Sequence, residues 1–200
     1  MRWLIPLLCL LAAPALAGTQ VKLETTLGDI IVELDDKTAP ISSANFLHYV
    51  DSGHYDGTLF HRVMPNFMIQ AGGYGTDSRR KSTGKPITNE ADNGLKNVRG
   101  SLAMARTSEP HSATAQFFIN TVDNPTLNHS GKTERGWGYA VFGKVVEGMD
   151  VVDAIARTPT GQSSLDGYPA QNVPKMPIVI KRASRVPAQP EPEQDKAKPQ

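Results

Sequence analysis

The chain has 200 residues, of which 39% are hydrophobic, with 21 basic and 20 acidic side chains. That length supports one ordinary domain with a real core, and the charge balance gives no basic surface for nucleic acid or anionic lipid. Cys9 is the only cysteine, which excludes an internal disulfide.

The first seventeen residues, MRWLIPLLCLLAAPALA, run from a lone positive charge through a short apolar stretch to Ala15-Leu16-Ala17. That order predicts a secretory signal peptide cleaved after Ala17. The apolar run contains Pro6 and Pro14 and is short for a bilayer span, so a membrane anchor is the poorer reading. Cleavage removes Cys9, and with it any cysteine nucleophile, and removes Arg2, which brings the charges to balance. A periplasmic protein with no membrane attachment after cleavage is expected.

Next, VKLETTLGDIIVEL alternates on both sides of Thr26-Leu27-Gly28-Asp29, so Val21 and Leu23 are set against Ile30, Val32 and Leu34 in a hairpin. Thr38 is placed to cap a helix that starts near Pro40 and ends near Gly53, with Ile41, Ala44, Phe46, Leu47 and Val50 as its apolar face. Strand-like runs follow: TLFHRV, FMIQ, GSLAMAR, AQFFINT, YAVFGKVV and PIVIKRA. GMDVVDAIA interrupts them as a second short helix. Many strands, two helices and no βαβ alternation predict a mainly β domain, an antiparallel barrel or a sandwich, over residues 18–185. From Val186 the sequence VPAQPEPEQDKAKPQ has four prolines, many charges and little to bury, which predicts a disordered tail over 186–200.

The chain lacks the usual equipment for chemistry. Its five histidines form no i, i+4 pair, and it has no G-x-S-x-G elbow, Walker loop or dinucleotide fingerprint. No metal and no cofactor are expected. One reaction needs neither: rotation about an X-Pro peptide bond, whose barrier of roughly 20 kcal/mol comes from amide resonance. Its catalyst needs an apolar grip on the proline ring and a donor aimed at the prolyl nitrogen, which gains a lone pair as the bond twists. In FHRVMPNFMIQAGG, Arg62 supplies a permanent cation among Phe and Met residues, with Gln70 close behind.

FHRVMPNFMIQAGG, GSLAMAR, QFFINT and YAVFGKVVEGMDVVD together resemble the cyclophilin family of peptidyl-prolyl cis-trans isomerases, most of all its exported bacterial branch. The resemblance spans nearly the whole domain in the family's order. It implies a closed eight-stranded antiparallel barrel capped by two α-helices, and action on proline-containing unfolded or partly folded chains. Arg62 matches the catalytic arginine. Phe67, Met68, Phe118 and Leu127 match the proline-pocket walls, and Gln70 the side chain that holds the arginine and the substrate backbone. Ala105 and Gln116 match groove positions, and His61 a histidine beside the arginine, which is more often structural than catalytic. Because Phe67 and Met68 would face opposite ways in a regular strand, a bend near Pro65-Asn66 is implied.

Three positions depart from the best-known eukaryotic pattern. Arg106 stands for an Asn, Tyr139 for a His, and Thr126 for a Trp or Phe. Tyr139 exchanges one polar ring for another at the substrate groove. Thr126 removes the aromatic wall on which cyclosporin packs, so weak cyclosporin binding is expected. A monomer is expected as well. The rival reading is a peptide-binding or chaperone module on the same barrel; the presence of Arg62, Phe67, Gln70 and Phe118 together favours the enzyme.

Overall fold

The computed structural model describes residues 18–187, so the expected signal peptide and all but the first two residues of the expected tail lie outside it. The strands are β1 (Gln20–Thr25), β2 (Gly28–Leu34), β3 (Thr58–Met64), β4 (Met68–Gly75), β5 (Ser101–Met104), β6 (Phe117–Asn120), β7 (Val141–Glu147), β8 (Thr160–Leu165), β9 (Tyr168–Pro174) and β10 (Val179–Arg185). The helices are α1 (Pro40–Asp51) and α2 (Met149–Ala156). Eight strands close a barrel in the order β1, β10, β3, β4, β6, β5, β7, β2, every pairing antiparallel. Closure decides between the two architectures that the strand pattern left open.

The register follows the hydrophobic alternation. Val21 faces Val32 and Leu23 faces Ile30 across the first hairpin, and all four are fully buried. Ile69, Ile119 and Leu102 lie in one row across β4, β6 and β5, and Ala71, Phe117 and Met104 in another. All six point into the main core, which also takes Phe46, Leu47 and Val50 of α1 and Val152, Ile155 and Ala156 of α2.

Helix α1 departs from expectation at its start and on its face. Its N-cap is Ala39, not Thr38, and no side chain of its own caps it. Instead the Glu90 carboxylate, from a distant loop, accepts from the backbone N–H of Ile41 and Ser42 and from Ser42 Oγ at 2.7–2.9 Å. A carboxylate there satisfies orphan amides and complements the helix dipole. With its polar atoms bonded, Ser42 turns inward beside Ser43, while Ile41 and Ala44 are exposed.

The hairpin β8–β9 lies outside the barrel sheet and has no apolar alternation to announce it. Its turn is Asp166-Gly167, both at positive φ (52° and 81°), the chemistry of a tight hairpin turn.

Phe46 sits at the centre of the core, its ring 5.0–5.3 Å from those of Tyr55, Phe117 and Phe142. Phe46→Ala is expected to cost about 3–5 kcal/mol of unfolding free energy, and Ile41→Ala less than about 0.5 kcal/mol, by denaturant titration. Comparable losses from the two would contradict this placement of α1.

Candidate active site

Phe60 and Arg62 are two residues apart in β3, and a regular strand would point both side chains to the same face. They point to opposite ones. Phe60 pairs with Ala71 while Arg62 pairs with the very next residue of β4, Gln70, so His61 is an extra residue on β3. This β-bulge re-aims the strand. Phe60 enters the core, His61 is also buried, and Arg62 becomes the only exposed position of the strand. The guanidinium therefore avoids the cost of a buried unpaired charge that its apolar neighbours suggested.

The outward rows of the same sheet build an apolar cluster beside it. Gln70 lies across from Phe118, and Phe118 across from Ala103, all on the face opposite the core. Met68, Ala103, Phe118 and Val141 form a second buried cluster, separate from the barrel interior. Phe67, Leu127, Ala105 and Tyr139 pack against it half-buried, and the Tyr139 ring meets Phe118 edge-on at 5.6 Å. The expected bend is present: Pro65 and Asn66 (φ 57°) make the turn, and Phe67 N–H donates to Met64 C=O at 3.2 Å. Pro followed by a positive-φ Asn is type II turn chemistry. Phe67 thus belongs to the turn and Met68 to the strand, which brings both to one cluster.

Gln70 Nε2 donates to Gln116 Oε1 at 2.8 Å, and Gln70 stands between Arg62 and Phe118 in the sheet register. The two glycines of AGG make room for this pair and for the core behind. A Cβ on Gly73 would lie 2.5 Å from the Gln116 amide, and Gly72, at φ 86°, faces the Tyr55 ring. His61 sits behind Arg62 with its ring 4.8 Å from Tyr74 and no partner for Nδ1. Burial, with a smaller contribution from the Arg62 charge, pushes the imidazole down to about 4, against the opposing pull of the Leu59 carbonyl and the Gln116 amide. It is neutral at neutral pH, a filler rather than a cation.

The departures from the family pattern have distinct structures. Arg106 donates through Nε to Gly138 C=O, through one terminal nitrogen to Thr107 and Ser108 C=O, and through the other to Glu134 C=O, at 2.8–3.2 Å. It also lies 4.8 Å over the Tyr139 ring. Its donors are thus committed to loop carbonyls, and the side chain frames the groove wall. Thr126 is exposed in a 3-10 turn, Pro125–Leu127, beside the half-buried Leu127.

One feature had no sequence signal. Asn97, Asn120 and Asn124 are buried next to the cluster, Asn120 across from Met68, and are bonded in a chain. Among the described residues no group of three or more His, Cys, Asp or Glu is arranged to hold a metal. A cleft of about 530 Å³ lined by Leu34, Leu95, Val98 and Lys144 contains none of the site residues expected from sequence.

The chain has close counterparts among known proteins. Residues 20–185 match the family model described as cyclophilin type peptidyl-prolyl cis-trans isomerase/CLD. A peptidyl-prolyl cis-trans isomerase of Streptomyces antibioticus is 60% identical over 163 residues, covering 82% of this chain and 96% of the relative. One from Acinetobacter baylyi is 57% identical over 171 residues, covering 86% and 87%. A Cryptosporidium parvum cyclophilin-type isomerase, crystallised in the presence of the dipeptide Ala-Pro, superposes with a TM-score of 0.68 at 27% identity, over 84% of this chain and 99% of that one. With a closed eight-stranded barrel, an exposed arginine and an outer apolar cluster beside it, the chain belongs to the cyclophilin-type peptidyl-prolyl cis-trans isomerases and is itself an isomerase of X-Pro peptide bonds.

Proposed function

We propose that the protein isomerises X-Pro bonds in unfolded or partly folded chains after export to the periplasm, as a monomer, with Arg62 as its catalytic donor. The proline ring rests on Phe118 and Met68 between Phe67 and Leu127, with Ala105 and Tyr139 along the groove. Gln70 and Gln116, already paired, offer amide groups to the substrate backbone beside it. Arg62 donates to the prolyl nitrogen when the amide twists and that nitrogen pyramidalises. Planar X-Pro offers the donor no lone pair, so the bond forms at the transition state and lowers the barrier. The observation that carries this reading is the bulge at His61, which sets an exposed guanidinium on the same face as Gln70 and Phe118.

The rate step involves no proton transfer, and the neutral His61 takes no part in one. In a protease-free cis-trans assay, Arg62→Ala is expected to lose about 30- to 1000-fold in rate, or roughly 2–4 kcal/mol of barrier. The wild-type rate is expected to stay flat between about pH 6 and pH 8, because His61 titrates well below its usual 6.5. A variant within threefold of wild type contradicts Arg62 as the catalytic donor, and a limb centred near pH 6.5 contradicts a neutral His61 that takes no part.

Thr126 bears on inhibition. It lacks the ring area and indole donor that a tryptophan gives cyclosporin, and loss of an aromatic anchor commonly costs 2 kcal/mol or more. Cyclosporin is expected to bind roughly 30-fold more weakly than to Trp-bearing relatives, and Thr126→Trp to tighten it. An inhibition titration in which the Trp variant gains nothing overturns the anchor argument.

Export rests on residues 1–17 alone: charge, apolar run, then Ala15-Leu16-Ala17. N-terminal sequencing of protein from the periplasmic fraction is expected to start at Gly18. An intact Met1 in the cytoplasmic fraction only would remove this part of the reading.

A further inference from the structure

Three of the residues that flank the apolar cluster come from segments that strand pairing does not hold. Phe67 is in the β3–β4 turn, Leu127 in the 3-10 turn, and Tyr139 in the loop before β7. Next to them run three buried carboxamides, Asn97, Asn120 and Asn124, which are 1%, 0% and 7% exposed. Asn120 Nδ2 donates to Asn97 Oδ1 at 3.1 Å and to Ser101 Oγ at 2.9 Å, and Asn124 Nδ2 donates to Asn120 Oδ1 at 2.7 Å. Both ends of this chain reach wall residues. Asn124 Nδ2 donates to the Phe67 carbonyl at 2.9 Å. Asn97 Nδ2 donates to the carbonyls of Leu127 and Tyr139, at 3.2 and 3.3 Å. Asn120 itself stands across from Met68, a fourth wall, in the β4–β6 register.

We infer that Asn97, Asn120 and Asn124 are positioning residues that act as one unit to set the width of the proline pocket. A buried amide left without partners costs free energy, so each carboxamide has one acceptable orientation given its neighbours. Phe67 on one side and Leu127 with Tyr139 on the other are thereby tied to a single hydrogen-bonded chain anchored at the end of β6. Asn120 shares the outer face with Met68 and Phe118, while Asn97 and Asn124 reach the wall residues through hydrogen bonds to their backbone. The chain acts through the backbone of those wall residues and leaves Arg62, which is on β3, in place. Loosening the chain should therefore weaken the grip on proline more than it slows the twist.

This inference rests on the pocket reading above, and the test separates the two. Peptide affinity and the on-enzyme exchange rate are measured by NMR with a proline peptide on folded, full-domain protein. Phe118→Ala is the reference for the pocket itself: if it leaves affinity unchanged, the pocket reading fails. Val21→Ala, in the barrel core, is the reference for general loss of stability and is expected to leave affinity unchanged. Asn124→Ala and Asn97→Ala are each expected to weaken peptide binding about fivefold while the on-enzyme rate stays within about twofold, since each removes one buried hydrogen-bonded anchor. In the double variant the loss should fall short of the product of the two, because either cut slackens the same chain. Asn124→Ser, which is smaller and keeps a donor, should recover part of the affinity and covers the case in which Asn97→Ala does not fold. If the asparagine variants lower only the melting temperature, like Val21→Ala, or if the two losses multiply, the positioning unit is refuted.

Discussion

The site depends on one extra residue in β3. Without the bulge at His61, Arg62 would share a face with Phe60, and the guanidinium would have to enter a core that already holds Phe60, Phe46 and Phe117. Burying that charge unpaired would cost several kcal/mol. The bulge lets a single strand serve the core at Phe60 and the outer surface at Arg62. It also buries His61 between them, and the depressed titration of its imidazole reflects the lack of water there.

From that constraint the rest follows in layers. The sheet of β4, β6 and β5 is apolar on both faces, with Ile69, Ile119 and Leu102 inside and Met68, Phe118 and Ala103 outside. An apolar outer face is a liability unless something covers it. Here turns and loops partly cover it, and the proposed role of the rest is to take the proline ring. Arg62 stands at its edge, exposed and without an ion pair among the described residues. In the proposed mechanism, a substrate covering that edge would exclude water where the lone pair develops and so strengthen the charge-assisted hydrogen bond from Arg62.

Legibility in the sequence followed the strength of local signals. The β1–β2 hairpin was plain because Val21, Leu23, Ile30 and Val32 alternate around a Gly turn, and the barrel wall was plain strand by strand. The α1 face was misread at Ile41 and Ala44 because a distant carboxylate, Glu90, makes it favourable to bury Ser42 instead. The β8–β9 hairpin was missed because it is polar on both faces. At the site, residue types suggested Arg62 and its apolar partners, but a bulge has no signature in alternation, so the sequence left open how a cation among Phe and Met residues reaches the surface. The asparagine chain was invisible for a related reason. Asn97, Asn120 and Asn124 meet through tertiary structure, and each by itself reads as an ordinary loop or strand-end residue. Arg106 stood out in the sequence only as a departure from the family pattern, because its bonds to backbone carbonyls form through tertiary structure.

The central claim is that Arg62 binds the twisted amide and not the planar one. The most direct measurement is NMR exchange on a proline peptide with Arg62→Ala, read for both the dissociation constant and the cis-trans rate of the bound peptide. The account predicts that affinity changes by less than about threefold while the bound-state rate falls by a factor of 30 or more. Affinity that falls in step with kcat/KM, with the bound-state rate unchanged, would make Arg62 a ground-state contact and contradict the account.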